Sequence, residues 1–296
     1  KRRFAGSIRP WVIIKVPSLL ITGASRGLGL ELVRQYLADG WEVHAGMRHP
    51  AAASEDMQAL KRTYGDALQL QRVDVEDHES IELLAARLEN RSIDVLINSA
   101  GTMGNGSFAE QGLQFGKFGS SDYPDWERVF RINVLGPMKM AEAFVEHVAQ
   151  SSQKKIVTLT SILGSIEKNR IGGLYAYRAS KAAVNAIMRS MAIDLVRSHG
   201  IKSTALHPGW VRTDMGGPSA ALTVDESANA IVDTIESLSI EAASSVYGEA
   251  ATKLSFGSNS RVRAVRARKE LGWSPSRRSL RDEIARGCYA EDRGSR

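Results

Sequence analysis

The sequence predicts an α/β fold built on a doubly wound, mostly parallel sheet. Short apolar runs rich in β-branched residues alternate with stretches whose apolar residues recur at helical spacing. A glycine-rich turn also joins the first apolar run to the first helical stretch. Parallel strands covered by helices on both faces have this pattern, which is that of a Rossmann domain. With 296 residues and 43% hydrophobic content, the chain can bury one substantial core.

The elements of this fold can be placed in order along the chain. Residues 19–21 are expected to form the first strand, and residues 41–45 form the second. Between them, apolar residues at helical spacing predict a helix: Leu28, Leu32, Val33, Tyr36 and Leu37. Later strands are expected at residues 68–73, 95–97, 156–159 and 202–206, and helices include residues 80–88 and 126–148.

Charge and composition suggest one large domain with two basic ends. We expect a basic extension at residues 1–16, a Rossmann domain at 17–248 and a basic tail at 249–296 that is not an independent domain. Although the net charge is +6, acidic residues are interspersed through the tail and no RNA-reading pattern is present, so no nucleic-acid partner is expected. The first segment could be a targeting remnant or an artefact of cloning or gene prediction, and both interpretations stay open.

Cysteine use and hydropathy bear on the compartment. Cys288 is the one cysteine, which excludes an internal disulfide framework and fits a reducing compartment. The longest apolar stretches, near Trp11 to Val16, are too short to span a bilayer. We therefore expect a cytoplasmic protein without a membrane span.

The glycine-rich turn reads Thr22-Gly23-Ala24-Ser25-Arg26-Gly27-Leu28-Gly29. Between a strand and a helix, such glycines let the backbone approach a pyrophosphate at the helix N-terminus, although they could serve helix packing alone. The end of the second strand offers Arg48 where an NAD-binding carboxylate is usual. Arg48 and Arg26 could pair with a 2′-phosphate, or both could be solvated. We expect NADP(H) to be preferred over NAD(H).

Tyr177 and Lys181 stand four residues apart. On a helix they would share a face, so the ammonium could stabilise the ionised phenol and lower its pKa from about 10. Such pairs are also common on solvated helices, but together with the glycine-rich turn this pair suggests a nicotinamide-dependent carbonyl chemistry.

Together these features resemble the classical short-chain dehydrogenase/reductase family, over roughly residues 17–240 and within its C-factor-like or sniffer-like carbonyl reductase branch. The motifs that carry the resemblance are the glycine turn with three residues between its first two glycines, Asp74-Val75, Asn98-Ser99-Ala100-Gly101, Asn133 before Val134-Leu135-Gly136-Pro137, Ser161, Tyr177 with Lys181, and His207-Pro208-Gly209-Trp210-Val211-Arg212-Thr213.

The resemblance implies catalytic roles for four residues. Tyr177 would be the general acid in reduction, Lys181 would lower its pKa and hold the nicotinamide ribose, and Ser161 would bond the substrate oxygen. Asn133 would hold a water that links Lys181 to solvent. Taken singly, Ser161 could end a strand, Asn133 could cap or bend a helix, and Lys181 could be a surface charge.

The resemblance also implies the cofactor contacts, and it implies no metal. Those contacts are Thr22, Gly23, Ser25, Arg26, Gly27, Leu28, Gly29, Arg48, Asp74, Val75, Asn98, Ala100, Gly101, Tyr177, Lys181, Pro208, Gly209, Val211 and Thr213. Asp74 could instead simply close a strand. Beside the pocket the family places Met103, Phe108, Tyr175, Trp210, Met215 and an insertion at residues 165–173, which favours a small apolar aldehyde, ketone or quinone or, equally, ordinary packing.

After about residue 240 the sequence departs from this branch. From residue 254 it resembles the carboxyl end of extended epimerase/dehydratases, so the seventh strand is in doubt and a short helix is expected at residues 280–290. The tail leaves three alternatives open: a sugar-nucleotide epimerase or dehydratase, a non-catalytic NADP(H)-binding regulator, and an Arg-rich cap near the substrate crevice. A homodimer and a homotetramer both remain open.

Overall fold

A computed structural model describes residues 16–106 and 116–238. Within them the strands are β1 (Ser18–Thr22), β2 (Glu42–Met47), β3 (Leu68–Arg72), β4 (Val95–Asn98), β5 (Lys155–Leu159) and β6 (Lys202–Leu206). All neighbouring pairs are parallel, and the strand order is β3-β2-β1-β4-β5-β6. The predicted doubly wound fold is therefore confirmed.

Helices cover both faces of this sheet. They are α1 (Gly27–Ala38), α2 (Glu55–Tyr64), α3 (His78–Arg87), α4 (Tyr123–Phe130), α5 (Gly136–Ala149), α6 (Tyr175–His199) and α7 (Val224–Ser237). Because strand residues alternate between faces, Leu19 and Ile21 join one core with α1 and α7, whereas Leu20 joins a second core with α3, α5 and α6. Two apolar cores thus hold the sheet from opposite sides.

The helix predicted as one element at residues 126–148 is divided. Helix α4 ends at Phe130, a π-helical turn occupies Arg131–Leu135, and α5 begins at Gly136. In this turn the Gly136 N–H donates to the Arg131 carbonyl oxygen, five residues back. Pro137 has no N–H to donate to the carbonyl oxygen of Asn133, so an uninterrupted α-helical ladder cannot form here. The prediction of one helix was wrong at the position of a candidate catalytic residue.

Several expectations lie outside the described residues: the extension up to residue 15, the seventh strand, the helix at 280–290 and the tail at 249–296. The domain boundaries stay predictions. None of the described helices combines the length and the hydropathy that a membrane span requires.

Candidate active site

The predicted site residues gather at one edge of the sheet, where the parallel strands end. Thr22 ends β1 and pairs in register with Gly46 of β2 and Asn98 of β4. The other segments follow their strands at the same edge: Arg48 after β2, Asp74-Val75 after β3, Ala100-Gly101 after β4, Ser161 after β5 and residues 208–213 after β6. Since the strand order reverses between β1 and β4, this edge holds the crevice in which such folds bind ligands.

Two glycines of the glycine-rich turn approach neighbouring backbone too closely for any side chain. Gly23 has φ +69°, and a Cβ there would lie 2.7 Å from the backbone of Ala100. A Cβ on Gly29 would overlap the carbonyl oxygen of Gly23. Gly23 and Gly29 are therefore required by the fold, whatever ligand the turn takes.

The N-terminus of α1 is left without a side-chain cap. Its N-cap residue, Arg26, makes no capping hydrogen bond, and the first turn contains no acidic residue. In contrast, four other helices begin with a side chain that accepts a backbone N–H: Ser54 at α2, Asp77 at α3, Asp122 at α4 and Thr223 at α7. The unbonded N–H groups and the helix dipole make the start of α1 suitable for an anion such as a pyrophosphate.

The two arginines predicted to face a 2′-phosphate differ in their contacts. Arg48 is exposed and has no bonding partner among the described residues. Arg26 forms a 2.7 Å ion pair with Asp214, which the sequence analysis did not single out. A Cβ on Gly27 would lie 3.4 Å from the Thr213 methyl group, so the loop after β6 reaches back to the glycine turn. Arg48 is thus the guanidinium that is free to meet a phosphate.

Among the predicted cofactor residues, Asn98 is turned into the sheet. It is 2% exposed, and its amide donates to the Thr158 hydroxyl at 3.2 Å, which braces β4 against β5. Its Oδ1 has no partner among the described residues. Asp74 lies two residues past the end of β3, and its Oδ1 accepts the Glu76 N–H at 3.0 Å. Direct contact of either residue with a cofactor stays a prediction.

Tyr177, Lys181 and Ser161 are brought together. Tyr177 and Lys181 share one buried face of α6, and the Ser161 side chain lies close enough to the phenol to lower its pKa. Ser161 Oγ also accepts the Leu163 N–H at 3.1 Å, which fixes its rotamer at the start of a 3-10 turn. Lys181 Nζ lies 5.7 Å from the centre of the Tyr177 ring and donates to the Leu159 carbonyl oxygen at 2.9 Å. Lys181 is therefore a buried residue of the site and not a surface charge.

The pKa values of this pair depart from the prediction. Burial raises the pKa of Tyr177 to about 12, and the Ser161 hydrogen bond lowers it only in part. Burial also lowers the pKa of Lys181 to about 8. The sequence analysis expected Lys181 to bring the pKa of Tyr177 below its usual value, but the residues of the chain alone raise it. Desolvation disfavours the phenolate of Tyr177 and the ammonium of Lys181 alike.

Asn133 connects the loop after β4 to the catalytic helix. Its Oδ1 accepts the Thr102 N–H at 2.8 Å, and its amide donates to the Thr102 carbonyl oxygen at 2.8 Å and to the Ser180 hydroxyl at 3.0 Å. Ser180 in turn donates to the carbonyl oxygen of Tyr177 at 2.8 Å. Both amide hydrogens of Asn133 are therefore engaged, whereas its Oδ1 accepts one hydrogen bond among the described residues and keeps a second lone pair. A water between Asn133 and Lys181 stays a prediction.

Three of the apolar side chains that the sequence analysis expected beside the pocket are exposed. Tyr175 is 40% exposed, Trp210 is 49% exposed, and Met215 is 36% exposed, whereas Phe108 lies outside the described residues. The Trp210 indole is held by a 2.8 Å hydrogen bond to the Gly216 carbonyl oxygen. Met103 is half-buried in the loop after β4. Large exposed apolar side chains at a strand edge are typical of a ligand site.

Other residues of the site were not anticipated as functional: Thr102, Thr160, Gly164, Ser180, Asn185 and Asp214. Asn185 continues the four-residue spacing of Tyr177 and Lys181, which is a signal that the sequence does contain. The others stand within three residues of predicted site residues, but no pattern of residue types marks the contacts that they make.

Comparisons with known proteins agree with this geometry. The family model described as short chain dehydrogenase matches residues 18–222. The chain is 42% identical to the C-signal protein of Myxococcus xanthus over 149 residues, which is 50% of this chain and 84% of that protein.

Two solved structures are similar to the chain as well. A short-chain dehydrogenase/reductase from Burkholderia multivorans with bound NADP is 33% identical, with a TM-score of 0.67, and the match covers 75% of this chain and 91% of that one. Carbonyl reductase Sniffer of D. melanogaster is 30% identical, with a TM-score of 0.68, and the match covers 77% of this chain and 94% of that one.

Proposed function

Because the chain belongs to the classical short-chain dehydrogenase/reductase family, in its carbonyl reductase branch, we propose that this oxidoreductase uses NADPH to reduce a small apolar aldehyde, ketone or quinone to an alcohol. The observation that carries the proposal is the buried pair of Tyr177 and Lys181, with the Lys181 ammonium 5.7 Å from the centre of the phenol ring and the Ser161 side chain beside the phenol. The similar structure with bound NADP supports the cofactor class.

The described residues fit NADP(H). The uncapped start of α1 suits the pyrophosphate, and Arg48 suits the 2′-phosphate. A Cβ on Gly101 would lie 3.4 Å from Asn133 Oδ1 and 3.7 Å from Lys181 Nζ, so this glycine keeps open a space beside two polar atoms that suits a ribose. When bound, NADPH supplies the hydride.

The proton balance favours reduction. A phenol with a pKa of about 12 remains protonated at neutral pH and is ready to donate to a carbonyl oxygen. Ser161 lies beside this hydroxyl and can bond the same oxygen as negative charge develops on it. The Lys181 ammonium then stabilises the phenolate that remains, and the exposed apolar side chains at the mouth hold the rest of the substrate.

Substitution of Tyr177 by Phe tests this proposal, because it removes the transferable proton and keeps the ring. NADPH oxidation across a panel of aldehydes, ketones and quinones should fall by at least about a hundredfold, while the Kd for NADPH stays within about threefold. Tyr123→Phe is the matched control, since Tyr123 is 70% exposed and stacks on Trp126. Retained turnover in the Tyr177 variant, or NADPH binding by the wild type without turnover of any carbonyl, would contradict the proposal.

A further inference from the structure

Asn185 lies on the same buried face of the catalytic helix as Tyr177 and Lys181, one turn further on. It is 7% exposed, and its Oδ1 accepts a 2.6 Å hydrogen bond from the hydroxyl of Thr160. Thr160 directly precedes Ser161, the residue whose side chain lowers the pKa of the Tyr177 phenol. The buried amide is thus separated from the catalytic serine by a single hydrogen bond and a single peptide unit.

The segment that carries Ser161 is fixed to α6 at other points too. The Leu159 carbonyl oxygen accepts from Lys181 Nζ at 2.9 Å. Gly164 packs so closely that a Cβ there would lie 2.7 Å from the backbone of Lys181. On the other side, the Thr160 N–H donates to the Leu206 carbonyl oxygen of β6 at 2.8 Å. The Thr160 side chain is therefore the contact that fixes the segment to the helix immediately before the serine.

We propose that Asn185 is a positioning residue for the reaction: through the Thr160 hydroxyl it holds Ser161 Oγ against the phenol of Tyr177. A serine hydroxyl can bond a developing oxyanion only if it is already aimed at it, and a displacement of an ångström from a neighbouring substitution is enough to lose much of the rate. The contribution to kcat rests on the proposed function, whereas the contribution to the Ser161–Tyr177 geometry does not.

The experiment compares Thr160→Val, which keeps the shape and removes the donor, with Thr160→Ser, which keeps the donor. The full-length protein is labelled with 3-fluorotyrosine, and the 19F resonance of position 177 is assigned by its loss in Tyr177→Phe. Thr160→Val should shift this resonance and lower kcat roughly ten- to hundredfold at an unchanged Kd for NADPH. Thr160→Ser should restore both values. Thr234→Val is the matched control, because it removes an exposed hydroxyl that donates to the Ala230 carbonyl oxygen at 2.6 Å.

Asn185→Leu provides the second arm, since it removes the acceptor at similar volume. If both residues act through their shared hydrogen bond, the double variant with Thr160→Val should resemble either single variant in resonance and in kcat. The proposal is overturned if Thr160→Val keeps the wild-type resonance, or if Thr160→Ser and Thr160→Val behave alike. A wild type that turns over no carbonyl contradicts the proposed function, and the resonance still decides the positioning role.

Discussion

The ammonium nitrogen of Lys181 lies 2.9 Å from the carbonyl oxygen of Leu159, the last residue of β5. This bond holds the lysine where the sheet ends, with the phenol of Tyr177 on the same helix face. One backbone oxygen is not enough to offset the loss of water around a buried cation, so the pKa of Lys181 falls to about 8. The lysine is consequently poised to lose its charge only slightly above neutral pH.

The first prediction concerns the pH dependence of reduction. Because protonated Lys181 stabilises the phenolate left by proton donation, kcat/KM for a carbonyl should be flat below its pKa and fall about tenfold per pH unit above roughly pH 8. The Tyr177 phenol, with a pKa of about 12, stays protonated throughout. Initial rates from pH 6 to 10 measure this decline in kcat/KM. Lys181→Arg should remove the decline whatever the absolute rate of the variant, since a guanidinium stays charged. If the decline persists in this variant, a group other than Lys181 causes it.

The second prediction concerns cofactor preference. Arg48→Ala should raise the KM for NADPH roughly ten- to hundredfold and leave the KM for NADH within about threefold, because only NADPH carries the 2′-phosphate. Arg62→Ala is the control, since Arg62 is an exposed arginine paired with Glu55 on α2. Equal losses with both cofactors in the Arg48 variant would show that Arg48 does not face the phosphate.

The third prediction distinguishes a glycine that leaves room for the cofactor, Gly101, from a glycine that the fold requires, Gly29. Gly101→Ala adds a methyl group that meets only ordinary contacts, at 3.4 Å from Asn133 Oδ1, so the melting temperature should change little. The Kd for NADPH should rise at least about tenfold, because the methyl group fills the space assigned to the ribose. In Gly29→Ala the added Cβ overlaps the Gly23 carbonyl oxygen, and the protein should lose about 2 kcal/mol or more of stability. Thermal melts and cofactor titrations on both variants test this prediction. If Gly101→Ala still binds NADPH tightly, the space beside Gly101 does not hold the ribose.

The fourth prediction concerns the opposite edge of the sheet. Burial raises the pKa of Asp94, but hydrogen bonds from the Ser152 hydroxyl and from the N–H groups of Ser18, Gln153 and Ser152 outweigh it and leave the pKa below its usual value. Asp94→Asn should therefore cost about 2–4 kcal/mol of unfolding free energy at pH 7. Since the folded pKa is depressed, the stabilisation is present above the unfolded pKa near 4 and is lost as pH falls through the folded value.

Urea unfolding at pH 7 and at pH 3 checks this sign. The difference between wild type and Asp94→Asn should shrink at pH 3, because this pH lies below the unfolded pKa near 4 and the unfolded chain then takes up the proton. Asp66→Asn is a control, because Asp66 lies exposed in the turn before β3. A gap that is the same at both pH values would mean that the charge of Asp94 does not contribute.

Much of the fold could be predicted because its signals are local. Apolar runs placed the strands within two residues of their observed bounds, and Lys202–Leu206 was placed without error. The prediction of one helix at residues 126–148 was wrong at the π-helical turn. The apolar spacing of a helix continues through such a turn, so it gives no sign that the hydrogen bonds change there. The missing N–H of Pro137 was the available clue.

The succession of strands, turns and helices along the chain, the glycine turn and the spacing of Tyr177 and Lys181 could all be predicted, since each depends on residues close together in the chain. Which charges are satisfied became known from the folded protein: Arg26 is paired with Asp214, Arg48 has no partner among the described residues, and burial moves the pKa of Tyr177 upward. The fold also brings Asn185 to the hydroxyl of Thr160, the residue before Ser161. Desolvation and ion pairing depend on atoms that packing brings together from distant segments, and no local pattern of residue types contains that information.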